Sequence, residues 1–195
     1  AVTALRKIDA HQWEREEKEH YVEPPWCSER LFEEEKFDGG ILDPCCGFGT
    51  IVTSARGAGL HAVGTDLVER ASGFIYGLDF LSGDYPREIG GMQNVVCNPP
   101  FKLVREFAEC ALALAPRKVA MIFPTARLNA AHWIKGTPLR RVWLMTPRPS
   151  MPPGHVIARG EKPGGGKMDF CWLVWDRSYH QGAPELRWLR RDGDA

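Results

Sequence analysis

The sequence has no net charge, no long apolar run and no cysteines at paired short spacings, and each absence removes a class of protein. Its 25 basic residues balance 25 acidic ones, so bulk charge offers no argument for a polyanionic partner. No run of about 18 apolar residues is there to span a bilayer. Residues 1–10 lack the apolar stretch of a secretory signal, so a cytoplasmic chain with no membrane partner is expected. The six cysteines stand at 27, 45, 46, 97, 110 and 171, which is neither a zinc-site spacing nor a small disulfide framework. They read as reduced, buried thiols. The six histidines have no ligand spacing, and no metal is expected. Two nucleotide fingerprints are incomplete. The dinucleotide turn wants a glycine at 52, where Val52 stands, and Gly164-Gly165-Gly166-Lys167 is no phosphate loop, because Glu161 and Met168 occupy its other key positions.

What is there has a clear organisation. With 195 residues and 44% hydrophobic content, the chain suits one core: a polar arm at 1–20, then one domain at 21–195 with a loop inserted at 147–168. Charge is unevenly spread. Residues 1–38 hold 6 basic and 11 acidic side chains, and residues 135–167 hold 7 basic and 1 acidic, so a phosphate-bearing partner would approach the C-terminal third. Short apolar runs alternate with helical stretches. Ser28 is placed to cap a helix reaching about Lys36, and strands are expected at 41–43, 61–65, within 73–80, and at 95–97, 119–123, 142–145 and 170–175. Helices fit 50–58 and 103–115. This alternation predicts a doubly wound α/β fold with a mainly parallel, seven-stranded sheet. Trp172 and Trp175 lie on opposite faces of the last strand by alternation, so at least one belongs to the core.

Ligands of such sheets bind at the carboxyl ends of the strands. The first strand ends in Asp43-Pro44-Cys45-Cys46-Gly47-Phe48-Gly49-Thr50, where Gly47 and Gly49 allow close backbone approach. The second ends at Asp66-Leu67, where an acid can accept from a ribose diol. Asp79, near the end of the third, is an acid suited to an adenine amino group. Without the third glycine, a nucleoside with a cationic tail fits better than a pyrophosphate.

Asn98-Pro99-Pro100-Phe101 directly follows an apolar strand and is the most specific feature. The amine of adenine is a poor nucleophile, its lone pair being delocalised into the ring. Two acceptors aimed at its hydrogens, the Asn98 side-chain oxygen and the Pro99 carbonyl, would draw the nitrogen toward tetrahedral geometry without a general base. The prolines fix the carbonyl direction, and Phe101 can stack on an extruded base. Cytosine C5 chemistry would need a nucleophilic cysteine at the base, and Cys97 lies within the strand instead.

Together, Asp43 to Thr50, Asp66, Asp79 and Asn98 to Phe101 resemble the class I S-adenosyl-L-methionine-dependent methyltransferases, in particular those of adenine N6 in DNA. Tyr21-Val22-Glu23-Pro24-Pro25-Trp26 and Gly164 to Phe170 are similar to segments of small methyltransferases of bacteriophages and prophages. The resemblance implies a Rossmann-like sheet with an antiparallel final strand. It further implies a cofactor held by Tyr21, Pro24, Asp43, Pro44, Cys45, Gly47, Gly49, Thr50, Asp66, Leu67, Asp79, Phe80 and Asn98, and a target base at Asn98 to Phe101. DNA is the expected partner, with Arg148, Arg159, Lys162 and Lys167 as phosphate contacts and a helper protein compatible with so short a specificity region. RNA adenine or guanine, a protein glutamine, or an inactive cofactor-binding subunit are the alternatives.

Overall fold

The computed structural model describes residues 20–87, 89–161, 164, 166–179 and 182–192. The arm at 1–19 and Lys162 lie outside them.

Eight strands form one sheet in the order β3-β2-β1-β4-β5-β7-β6-β8. In chain order they are β1 (Ile41–Asp43), β2 (Ala62–Asp66), β3 (Ile75–Tyr76), β4 (Asn94–Cys97), β5 (Lys118–Pro124), β6 (Leu139–Thr146), β7 (Phe170–Asp176) and β8 (Glu185–Arg190). β7 runs antiparallel to β5 and β6, and every other pairing is parallel. The expected seven strands are all present, and an eighth adds to the edge. The order reverses between β1 and β4, which opens a crevice at their carboxyl ends.

Both faces of the sheet are covered, which explains why β1, β4 and β5 are apolar almost without interruption. On one face α3 (Val104–Leu114) turns Val104, Phe107, Ala108 and Ala111 inward, onto Val95, Val119, Met121 and Trp175. On the other, α1 (Trp26–Glu34) and α2 (Thr50–Gly57) cover Ile41, Val96, Ile122 and Trp172. Each large apolar side chain so buried contributes roughly 2 kcal/mol. Trp172 and Trp175 are both core residues: the Trp172 indole donates to the Cys27 carbonyl at 2.9 Å and that of Trp175 to Thr137 Oγ1 at 2.9 Å.

Two local expectations are corrected. Ser28 does not cap α1, because Pro24-Pro25 starts the helix two residues earlier. Instead its buried hydroxyl donates to the Pro25 carbonyl at 3.1 Å and accepts from Ser54 at 2.9 Å, joining α1 to α2. The stretch at 147–168 is not all loop, since α4 (Gly154–Ala158) lies inside it. That stretch is also tied down, with Val22 N donating to Pro152 O at 2.9 Å, Gly154 N to His20 O at 2.8 Å, and Tyr21 bridging Pro153.

The amino end of the sheet holds an ion network. Glu35, buried after α1, receives Lys118 Nζ and Arg141 Nη1 at 2.9 Å each and the Trp143 indole at 3.0 Å. Trp143 is therefore committed to packing and not to a ligand. No helix of the described residues is long and apolar enough to cross a membrane.

Candidate functional site

The ends of β1 and β2 are stitched together by their own acids. Asp43 Oδ1 accepts from Cys45 N at 3.2 Å, and Asp66 accepts from Gly47 N at 2.9 Å through one oxygen and from Val68 N at 3.0 Å through the other. The turn needs its glycines. Gly47 and Gly49 have φ of +54° and +81°, and a Cβ on Gly49 would overlap the Phe74 ring. α2 starts directly afterwards, so the turn holds backbone close to the crevice.

Asn98 follows β4 and faces the same cavity. Its Nδ2 donates to the Tyr21 carbonyl at 2.8 Å and to Glu23 Oε2 at 2.9 Å, and its backbone carbonyl accepts from the Cys45 thiol at 3.5 Å. Both amide hydrogens point to acceptors, which fixes the orientation of the side chain. Its Oδ1 is buried with no hydrogen-bond partner among the described residues. A buried acceptor left so costs about 1–3 kcal/mol, and Asn98 is one of the residues that line the crevice, together with Tyr21, Glu23, Asp43, Cys45, Gly47 and Asp66.

The cavity is electronegative. Glu23, Asp43 and Asp66 are all buried. Burial lifts the Glu23 carboxyl from its ordinary 4.5 to about 7, against the opposing effect of the Asn98 hydrogen bond. Asp43 is pushed well up, first by burial and then by the charge of Glu23. Burial and mutual repulsion both disfavour the charged forms of these two acids, and a positive charge placed beside them would oppose that. Burial also pushes up the thiols of Cys27, Cys46 and Cys97, so none is primed as a nucleophile.

Among the residues singled out from sequence, Tyr21, Asp43, Cys45, Gly47, Thr50, Asp66, Asn98 and Pro100 line this cavity. Pro24, Pro44, Gly49 and Pro99 lie in the same turns without lining it. Leu67 is 59% exposed just beyond Asp66. Asp79 is exposed and accepts from Leu81 N at 3.0 Å, capping a short 3-10 turn, while Phe80 is buried against Tyr85 and Phe107. Phe101 is 8% exposed, parallel to Tyr21 at 6.1 Å between ring centres and tilted on Phe170 at 5.5 Å. Its ring is packed against these two neighbours and does not line the cavity, so the face expected to stack on a base is not presented there. Arg148 is paired with Asp169 at 2.7 Å, whereas Arg159 and Lys167 are exposed.

Glu23, His20 and Arg70 also line the cavity and were not anticipated. The signal for Glu23 was an acid between Val22 and Pro24, in a segment otherwise apolar enough to be buried. Among the described residues no group of three His, Cys, Asp or Glu side chains could hold a metal ion.

No family model matches this chain, and no curated protein matches it. Among solved structures it is similar to a protein of Pyrococcus horikoshii described as a "putative RNA methyltransferase", at 13% identity and a TM-score of 0.56 over 86% of this chain and 92% of that one. It is also similar to protein 1320 of Thermoplasma acidophilum, at 15% identity and a TM-score of 0.51 over 76% of this chain and 82% of that one. The likeness is one of fold alone, a doubly wound, Rossmann-like α/β fold.

Proposed function

We propose that this chain is an S-adenosyl-L-methionine-dependent methyltransferase of exocyclic amines, acting on adenine N6 in DNA. The observation that carries the reading is the buried, unpartnered Oδ1 of Asn98, an acceptor whose amide nitrogen is fully engaged elsewhere. The residues at hand fit the cofactor. Buried Asp43 and Glu23 favour its cationic end, Asp66 at the end of β2 retains lone pairs for a ribose diol, and exposed Leu67 beside it offers an apolar surface to a base. When bound, the cofactor supplies an electrophilic methyl group on a sulfonium.

The chain's own residues do the rest by orientation. Asn98 Oδ1 accepts one amine hydrogen and the Pro99 carbonyl the other, which withdraws the nitrogen lone pair from the ring as the new bond forms. No side chain has to abstract a proton first. Pro100 and Tyr21, the latter backed by the Phe101 ring, restrict the angle at which a base can enter. Arg159 and Lys167 are free to meet phosphate, and Arg148 becomes so if the Asp169 pair opens.

The test is incubation with radiolabelled S-adenosylmethionine and a panel of single- and double-stranded DNA, RNA and protein, followed by nucleoside and amino-acid analysis. N6-methyladenine from DNA is the expected product. Label in RNA or in glutamine would move the substrate assignment, and no transfer to any acceptor would overturn the reading.

A further inference from the structure

We infer that Glu23 is a positioning residue for methyl transfer: by accepting one hydrogen of the Asn98 amide while the Tyr21 carbonyl accepts the other, it holds Oδ1 toward the incoming amine. The inference rests on the methyltransferase reading and adds to it a residue outside the Asn-Pro-Pro-Phe motif. An asparagine amide has two nearly isosteric ends, and an inverted side chain would offer the substrate amine a donor where an acceptor is needed. In this site inversion would turn Oδ1 onto two acceptors, the Tyr21 carbonyl and the Glu23 carboxylate. Glu23 is the stronger of the two, because a hydrogen bond to an ionised carboxylate is roughly twice as strong as a neutral one. It also polarises the amide, which makes Oδ1 a better acceptor.

The surroundings bear this out as a built arrangement. Glu23 is buried and makes no ion pair among the described residues. The titratable groups that feel its charge are Asp43 at the end of β1, Cys27 in α1 and Cys97 in β4. His20 and Arg70 line the same cavity. A buried acid kept without a cation and bonded to the side chain of one neutral residue has a purpose beyond stability, since an apolar residue there would be cheaper.

The experiment compares the wild type with Glu23→Gln, which keeps the shape and an acceptor but loses the charge. In the free wild-type protein, the side-chain NH2 resonances of Asn98 should titrate with a midpoint near 7, set by the Glu23 carboxyl. In Glu23→Gln they should not. At saturating S-adenosylmethionine, kcat on an adenine-containing oligodeoxynucleotide should fall about tenfold in the variant and lose the rise with pH that the wild type has. Asn98 resonances indifferent to pH in the wild type would overturn the inference, and that measurement needs no variant to fold. So would a loss confined to cofactor affinity with kcat unchanged, which would make Glu23 a cofactor ligand. Failure of the wild type to methylate any acceptor would instead remove the methyltransferase reading, and leave the resonance titration to judge the Glu23 contact.

Discussion

The Cys45 thiol lies 3.5 Å from the backbone carbonyl of Asn98, so the turn after β1 touches the turn after β4. That carbonyl accepts from Cys45 and Nδ2 is taken by Tyr21 and Glu23, while the other polar atom of the side chain, Oδ1, has no partner among the described residues. On the proposed function two tasks fall to a single residue: the backbone and nitrogen hold it in place, and the oxygen is kept for the substrate.

Removing that oxygen should therefore stop the chemistry and spare the cofactor. For Asn98→Ala we expect kcat to fall by about 100-fold or more, while S-adenosylmethionine still raises the melting temperature of the variant. Single-turnover methylation and a thermal-shift titration check the two halves.

Stability should depend on pH in a direction unusual for a carboxylate. Burial raises the folded-state Glu23 carboxyl from 4.5 to about 7, so between those values the folded protein holds a proton that the unfolded chain has released. The contribution of Glu23 is complete below pH 4.5 and is lost as pH rises to about 7, by roughly 3 kcal/mol. Asp43, also raised, adds in the same direction. Urea unfolding of wild type and Glu23→Gln at pH 5.5 and 7.5 isolates the effect. The variant should gain stability on the wild type as pH rises.

Gly49→Ala should destabilise strongly, since the position combines a φ of +81° with a Cβ that would enter the Phe74 ring. A loss of about 2–4 kcal/mol is expected. Gly59→Ala shares the positive φ but has open space around its Cβ, and should cost about 1–2 kcal/mol. Thermal unfolding of the pair separates overlap from backbone strain.

At the opposite end of the sheet, Glu35→Ala should cost about 1–3 kcal/mol, because it removes the buried acceptor shared by Lys118, Arg141 and Trp143 and leaves Lys118 only Asp176 at 3.6 Å and Arg141 only Glu185 at 3.4 Å. Arg148→Ala should change stability by less than about 0.5 kcal/mol, its partner Asp169 being exposed. Denaturant melts report both. Neutralising Arg148, Arg159 and Lys167 together should lower the salt dependence of DNA binding by up to three counterions, measured by fluorescence anisotropy across a salt series.

Much of this was written in periodicity. The apolar runs at 41–43, 95–97 and 119–123 admit few other readings, and the parallel sheet follows from the helices between them. β8 was missed for a physical reason. Its sequence, Glu185 to Arg190, alternates charge with Leu186, Trp188 and Leu189, and only Leu189 is buried, so an edge strand left Trp188 61% exposed. The meeting of Asn98 with Asp43 and Asp66 in one cavity was legible because each directly follows or ends a parallel strand. Glu23 was not, because its significance is a contact across 75 residues of chain. The basic stretch at 135–167 misled in part. Arg140 and Arg141 spend their charge on Glu185 and Glu35, which no spacing rule reveals.

The pairing of residues 20–22 with 152–154 bears on any attempt to retarget the protein. Grafting a foreign 147–168 segment would replace the rail against which Val22 is hydrogen-bonded, and Tyr21 and Glu23, its chain neighbours, are the two clamps on Asn98. On the proposed function, a chimera carrying a new recognition loop would turn over slowly. The smallest exchangeable cassette is two-part, joining residues 20–26 to the loop.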